Sequence, residues 1–356
     1  MTPRILFWCG RAIEPWGPPS LDEGGIGGSE TAVIHVARRL SKAGWRVDVA
    51  SACDYYEGIY DGVAYFDPKR LRSDAEYDVI VGWRDPNSHA LPIKARKRFV
   101  WLHDYLYGPQ AGPSLARFDR VLGVSQWHAD LLAQAYELTN TDYVPNGIEL
   151  ERFDLSNVKK VPFQCVWSSS PDRDLDLMLS LWPRITQIEP EATLHVAYGW
   201  QGIDFRIAQG DENAANFKAR LQQKMDATKG VTWHGRMGQN DVAKLKMESW
   251  ASPYLTSFAE VSCISMMESM AAGCVPVCSA TGALKETVGD GGYVIPGQPS
   301  SGQTQEFWLR IMFSVLGEAN ARIAKIRPGL DRARELTWDK SVDRWLSIIN
   351  GALEAS

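Results

Sequence analysis

Long apolar runs are missing. Nowhere in the 356 residues is there a stretch near the ~20 apolar residues that cross a bilayer. The first apolar run, Ile5–Trp8, is too short for the core of a signal peptide and reads as an opening strand. Cysteine is sparse: six residues, none in a Cys-x-x-Cys pair. Cys274 and Cys278 have no His or Cys nearby to complete a zinc site, so neither a disulfide framework nor a structural metal is expected. These absences imply a reduced, intracellular chain. One-sided charge is also missing. Lys and Arg total 38 against 43 Asp and Glu, a net of −5, so no nucleic-acid partner is expected. No repeat and no low-complexity tract appears. Hydrophobic residues at 45% and charged residues at 23% exclude a disordered chain.

What is present is an alternation. Short β-rich runs occur at Ile5–Trp8, Val47–Ala50, Val79–Trp83, Phe99–Leu102, Val121–Val124 and Tyr143–Pro145. A second series follows at Cys165–Trp167, Leu194–Ala197, Val231–Trp233, Pro253–Leu255, Val275–Cys278 and Tyr293–Ile295. Helical patterns separate them near 29–43, 126–137, 173–188, 211–228, 240–250 and 262–272, with a last helix over 338–354. In helix 29–43, Val33, Ile34, Ala37 and Leu40 keep the 3.6-residue period, and Gly44 stands where a helix stops. The fold class is α/β, with parallel sheets wrapped by helices. The series restarts after Asn146-Gly147, and Glu149–Val161 is polar without a strand pattern. Two doubly wound domains are expected, 1–147 and 148–335, with helix 336–356 returning to the first. Ligands of such sheets bind beyond the carboxyl ends of the strands, so a cleft between the two domains is the expected site.

Two loops carry chemistry. Glu23-Gly24-Gly25-Ile26-Gly27-Gly28-Ser29-Glu30 precedes helix 29–43. Its glycines admit close approach of a ligand, and a helix N-terminus attracts anions, so a phosphate or a flexible turn are the two readings. The spacing is neither a Gly-x-Gly-x-x-Gly fingerprint nor a Walker loop, which weakens nicotinamide and ATP chemistry. The other loop is Ser257-Phe258-Ala259-Glu260-Val261-Ser262-Cys263-Ile264, running into the helix that holds Glu268. A helix starting near Ser262 leaves free N–H groups at Ser262, Cys263 and Ile264 between two carboxylates. That suits a ligand with hydroxyls at both ends and a diphosphate in the middle. The bland alternative, two exposed glutamates, fits poorly, because Glu268 lies among Met266, Met267, Met270 and Ala271.

With these motifs the chain resembles the retaining, nucleotide-sugar-dependent glycosyltransferases of family 4, which have the GT-B fold. The resemblance runs over nearly the whole chain. It rests on Gly27-Gly28-Ser29-Glu30, His103-Asp104, Val144-Pro145-Asn146-Gly147-Ile148 and the Glu-x7-Glu pair Glu260 and Glu268. It continues in Ala271-Ala272-Gly273-Cys274-Val275-Pro276-Val277 and Gly282-Ala283-Leu284-Lys285-Glu286-Thr287-Val288.

The resemblance implies roles. Glu260 would hold hydroxyls of the donor sugar and Glu268 the ribose hydroxyls. The N–H groups around Ser262–Ile264 would bind the donor phosphate or sugar, and Gly27 and Gly28 would approach the diphosphate. Relatives carry two cations after the first strand of the second domain. Here Arg173 matches one and Ser168 replaces the other. Arg236 is either a substitute cation or a plain surface arginine. His103 would face the donor sugar, donating a hydrogen bond or moving the acceptor proton; Asp104 is either the acceptor base or the partner that orients His103. Trp83 and Arg84 are acceptor-side candidates, for stacking on a sugar and pairing with an acid, or else a core tryptophan and a surface ion pair. Tyr254 precedes the acidic loop and would position it. Lys94, Arg96, Lys97 and Arg98 are read as a solvated helix face or as a patch for weak peripheral membrane contact.

The expected function is transfer of a hexosyl group from a UDP- or GDP-sugar to a hydroxyl of a glycan, lipid-linked or other acceptor, with retention and without a metal or cofactor. The alternatives are a GT-B nucleotide-sugar epimerase or a non-catalytic nucleotide-sugar-binding protein. The expected location is the cytoplasm or the inner face of its membrane.

Overall fold

The computed structural model describes residues 2–10 and 12–355. It divides into two compact units. The first comprises residues 1–21, 26–147 and 336–356, and the second residues 22–25 and 148–335.

The first unit is built on eight strands: β1 (Arg4–Gly10), β2 (Arg46–Ser51), β3 (Gly58–Tyr60), β4 (Val63–Phe66), β5 (Glu76–Trp83), β6 (Lys94–Trp101), β7 (Arg120–Gly123) and β8 (Thr141–Tyr143). Their order is β3-β4-β2-β1-β5-β6-β7-β8. Every pairing is parallel except β3 with β4. The central strand β1 buries Ile5, Leu6 and Phe7 completely. Continuous apolar runs of this kind are what a sheet covered on both faces requires. Sequence reading missed β3 and β4. Ile59 is 78% exposed, so β3 at the sheet edge carries little apolar signal, whereas β4 buries Val63 and Tyr65.

The last helix, Trp338–Glu354, belongs to this unit. Trp338, Val342, Trp345 and Ile349 recur at spacings of four, three and four, and all are buried. Trp345 sets its edge against Phe7 at 6.0 Å and Trp101 at 5.2 Å. Trp338 stacks on His35 at 5.2 Å. Burying each indole stabilises by about 2–3 kcal/mol from area alone. Thr337 caps the helix by accepting from the Lys340 N–H at 3.3 Å.

The second unit has six strands: β9 (Gln164–Trp167), β10 (Thr193–Val196), β11 (Val231–Trp233), β12 (Ala251–Tyr254), β13 (Val275–Ser279) and β14 (Tyr293–Ile295). The order is β11-β10-β9-β12-β13-β14, with all pairings parallel. Helices Gln201–Ala208, Leu284–Val288, Gly302–Gly317 and Ala319–Glu335 add to those read from sequence. Among the described residues, no helix is long and apolar enough to cross a membrane.

Strand order fixes where chemistry belongs. In each sheet the order reverses once near the centre, between β1 and β5 and between β9 and β12. The loops leaving such a switch point diverge and open a crevice. The glycine loop follows β1 and Arg84 follows β5; residues 168–174 follow β9 and the acidic loop follows β12.

Candidate active site

In the first unit, Arg84 leaves β5 with a left-handed backbone, φ 56°. A non-glycine residue pays about 1 kcal/mol or more for this conformation. The guanidinium then grips Asp104 with two bonds, Nε to Oδ2 at 2.9 Å and Nη2 to Oδ1 at 2.7 Å. It also lies over the Trp83 ring at 5.2 Å and 3.9 Å from Glu30. Trp83 is buried, so it is a core residue rather than an open platform, and Arg84 answers an internal acid.

Asp104 does not orient His103. The N–H groups of both residues donate to the Tyr107 hydroxyl at 3.1 Å, and the Asp104 carboxylate is taken by Arg84. Burial pushes this carboxyl up, but the Arg84 bonds and charge outweigh it and hold it below the ordinary range. A carboxylate so held is a weak base, which tells against the acceptor-base reading. Burial, with the Arg84 charge adding, pushes His103 well below the ordinary imidazole value. His103 is therefore neutral at pH 7, and its Nε2 is buried without a hydrogen-bond partner. The ring meets Trp101 edge-on at 4.4 Å. Behind it His128 is fully buried and pushed down to about 4 by burial.

The glycine loop ends at Gly27, which caps helix Gly28–Lys42 without a side-chain bond. Glu30 occupies the third helical position and folds back over Gly27; a Cβ on Gly27 would collide with its carboxylate. Ser29 Oγ donates to Glu30 Oε2 at 2.9 Å. The N-terminus expected to meet a phosphate thus has a carboxylate of its own beside it.

The four cations at Lys94–Arg98 lie on strand β6, not on a helix face. The strand period puts them beside acids of the flanking segments. Lys94 pairs with Glu76, Arg96 with Asp78 and Lys97 with Asp119. Arg98 donates to the Leu91 and Ile93 carbonyls.

In the second unit the acidic loop runs from β12 into helix Ile264–Ala271, capped by Cys263. The helix therefore starts two residues later than expected. The first helical bonds are donated by the N–H groups of Met266 and Met267 to the Cys263 carbonyl; N–H groups at a helix start have no carbonyl partner within the helix. Ser262 and Cys263 are buried. Tyr254, at the end of β12, donates its hydroxyl to Glu260 Oε1, the positioning role read from its place in the sequence. Burial pushes the Glu260 carboxyl up, opposed by the Tyr254 hydrogen bond and by the Arg173 charge. Arg173 lies flat over Phe258 at 3.3 Å and pairs with Asp172 at 3.0 Å. Asp174 is left-handed, φ 67°. Its Oδ2 accepts from both the N–H and the hydroxyl of Ser257 at 2.5 Å, which ties the loop after β9 to the acidic loop. Asp174 is thus spent on loop geometry.

Three further residues shape this site. Gly282, φ 61°, sits under the acidic loop: an added Cβ would lie 2.7 Å from Glu260 N and closer still to Glu260 O. The next N–H, of Ala283, donates to that carbonyl at 2.7 Å. Ser168, in the place of the missing cation, shares a 2.6 Å hydrogen bond with Ser265 Oγ. Lys246, in helix Gln239–Glu248, is fully buried and reaches Glu268 Oε2 at 2.6 Å. Its only sequence signal was a lysine three positions after Ala243 on the apolar face. Arg236 donates to the Gly25 carbonyl in the same unit.

The arrangement is two partly buried carboxylates on either side of a helix start, with one arginine beside the first. Residues 150–304 match the family described as glycosyl transferases group 1. The matched residues all lie in the second unit. Solved structures of this fold superpose over almost the whole chain. A glycosyltransferase from Rickettsia africae aligns with a TM-score of 0.73 at 12% identity, covering 100% of both chains. Sucrose-phosphate synthase from Thermosynechococcus elongatus gives 0.74 at 16%, covering 99% of this chain and 100% of its own. HepE of Anabaena in complex with UDP-glucose gives 0.73 at 15%, with 99% and 100% covered. Identities this low establish the fold, which is GT-B. No curated protein matches the sequence.

Proposed function

We propose that this glycosyltransferase moves a hexosyl group from a UDP- or GDP-sugar to an acceptor hydroxyl, with retention and without a metal ion. The observation that carries the reading is the pair Glu260 and Glu268 on either side of the start of helix Ile264–Ala271. Carboxylates accept from sugar hydroxyls, and N–H groups at a helix start donate to a diphosphate between them. Glu260 would take the donor sugar and Glu268 the ribose. Fixed N–H donors and the Arg173 guanidinium would stabilise the charge that grows on the departing diphosphate. A neutral His103 would donate a hydrogen bond to the donor sugar without adding charge. HepE of Anabaena has been solved with UDP-glucose and with UDP and glucose, which supports a nucleotide-sugar donor here.

The test is a thermal-shift panel of UDP, GDP, ADP, dTDP and CMP, with NAD as control. One diphosphate is expected to stabilise selectively, and Glu268→Ala to abolish the shift. The matching sugars then go into transfer assays, where Glu260→Ala and Arg173→Ala are each expected to lose most turnover while staying folded. No shift with any diphosphate at millimolar concentration would overturn the donor site. Conversion of the donor sugar without an acceptor would mark an epimerase.

A further inference from the structure

The fully buried ammonium of Lys246 is a cost that the fold has to recover. An isolated buried ammonium is strongly disfavoured, and it persists only where its donors are satisfied. Here they are. The ammonium bonds Glu268 Oε2 at 2.6 Å and the Ser265 carbonyl at 2.8 Å, with the Ser265 hydroxyl at 3.3 Å. Ser269 Oγ also donates to the Ser265 carbonyl, at 2.8 Å, and Ser265 Oγ meets Ser168 Oγ at 2.6 Å. The lysine side chain has no exposure and the Glu268 side chain keeps 22%. One oxygen of Glu268 is thus spent inside the protein, and the other, Oε1, is left as an acceptor.

We infer that Lys246 is a positioning residue: it fixes Glu268 so that Oε1 alone meets the two ribose hydroxyls of the bound nucleotide. This rests on the reading that Glu268 takes the ribose. The chemistry asks for such a device. A free glutamate has three rotatable bonds and two equivalent oxygens, and holding it for a ligand costs side-chain entropy at the moment of binding. A buried ammonium at 2.6 Å settles the rotamer beforehand. The same lysine secures the Ser265 carbonyl in the first turn of the helix, so carboxylate and helix start are held in register by one group.

The experiment compares UDP and GDP with their 2′,3′-dideoxy analogues, by calorimetry, on the full chain. The wild type is expected to bind one ribonucleotide at least tenfold more tightly than its dideoxy analogue. Lys246→Met is expected to lose that preference, binding the ribonucleotide at least tenfold more weakly while its dideoxy affinity stays within twofold. Lys246→Arg is expected to restore part of the preference. Because Lys246→Met strands the Glu268 carboxylate, the double variant Lys246→Met/Glu268→Gln, which carries neither charge, is measured beside it and should bind like Glu268→Gln alone. Retained ribose preference in Lys246→Met, or in the double variant should the single one not fold, would overturn the positioning role. So would equal weakening of both ligands, which marks a structural contribution only. A wild type that binds nucleotide without ribose preference would instead refute the role of Glu268, and this inference with it.

Discussion

In the first unit the charged groups beyond the strand ends hold one another. Arg84 grips Asp104 and leans on Glu30, with side chains between 18% and 40% exposed. In the second unit each acid is held by something that carries no competing role on the surface. Glu260 is pinned by a tyrosine hydroxyl and by a glycine beneath its backbone, and Glu268 by a buried lysine. A cluster neutralised by its own members is polar but spends its charge internally. A carboxylate fixed through one oxygen keeps the other for a ligand. The two sheets have the same switch-point plan, so the difference lies in how the loops are secured.

The sharpest way to break the comparison is at Gly282. Gly282→Val puts a branched side chain into the Glu260 backbone at a positive φ. It should cost about 2 kcal/mol or more of stability and nearly all turnover, read by thermal melting and a transfer assay. Near-normal turnover would mean that the acidic loop does not need this support. Glu260→Gln comes next, keeping shape and removing charge. Turnover should fall roughly 100-fold or more with the melting temperature little changed.

A third test addresses the first unit through His128. Its folded value is lowered to about 4 from the ordinary value near 6.5. The stability of the neutral form is therefore fully present above about pH 6.5 and is lost as pH falls toward 4. The loss amounts to about 3 kcal/mol at one proton and ~1.4 kcal/mol per unit. His128→Gln should flatten the stability profile in that window, measured by urea unfolding at several pH values. An unchanged slope would assign the acid sensitivity to His103, whose shift has the same sign.

The smallest effect is expected at Arg84→Met. Both partners are about a third exposed, so solvent screening limits the loss to about 1 kcal/mol. The folded Asp104 value is lowered, so its contribution is present above the ordinary carboxylate range and is lost as pH falls below that range through the lowered value. The variant should differ from the wild type at neutral pH and converge with it in acid.

The parallel sheets were legible because a strand covered on both faces must be apolar throughout, as Ile5–Trp8 and Val275–Cys278 are. Helix Ala319–Glu335 was not legible: it buries only Gly329 and Ala333 and contains Pro328, so neither its period nor its composition announces a helix. Glu260 and Glu268 could be found from spacing and from the apolar company of Glu268. Lys246 could not, because a lysine in an amphipathic helix reads as surface, and only the fold shows what it faces. The spread of Lys94–Arg98 along β6 was misread for a similar reason. Four cations in five residues look like a helix face until the flanking strand supplies Glu76 and Asp78.

Glu30, folded over Gly27, has a consequence for competition. A carboxylate tethered three residues away acts at an effective concentration far above that of any free ion. A lone phosphate arriving at this helix must evict a resident anion with only its own contacts to offer. A ligand that is anchored elsewhere as well brings the extra free energy to do so. On the proposed donor-site reading, the loop would discriminate by valency as well as by charge: abundant simple anions would be turned away, and a larger molecule that carries its phosphates on a well-gripped frame would be admitted.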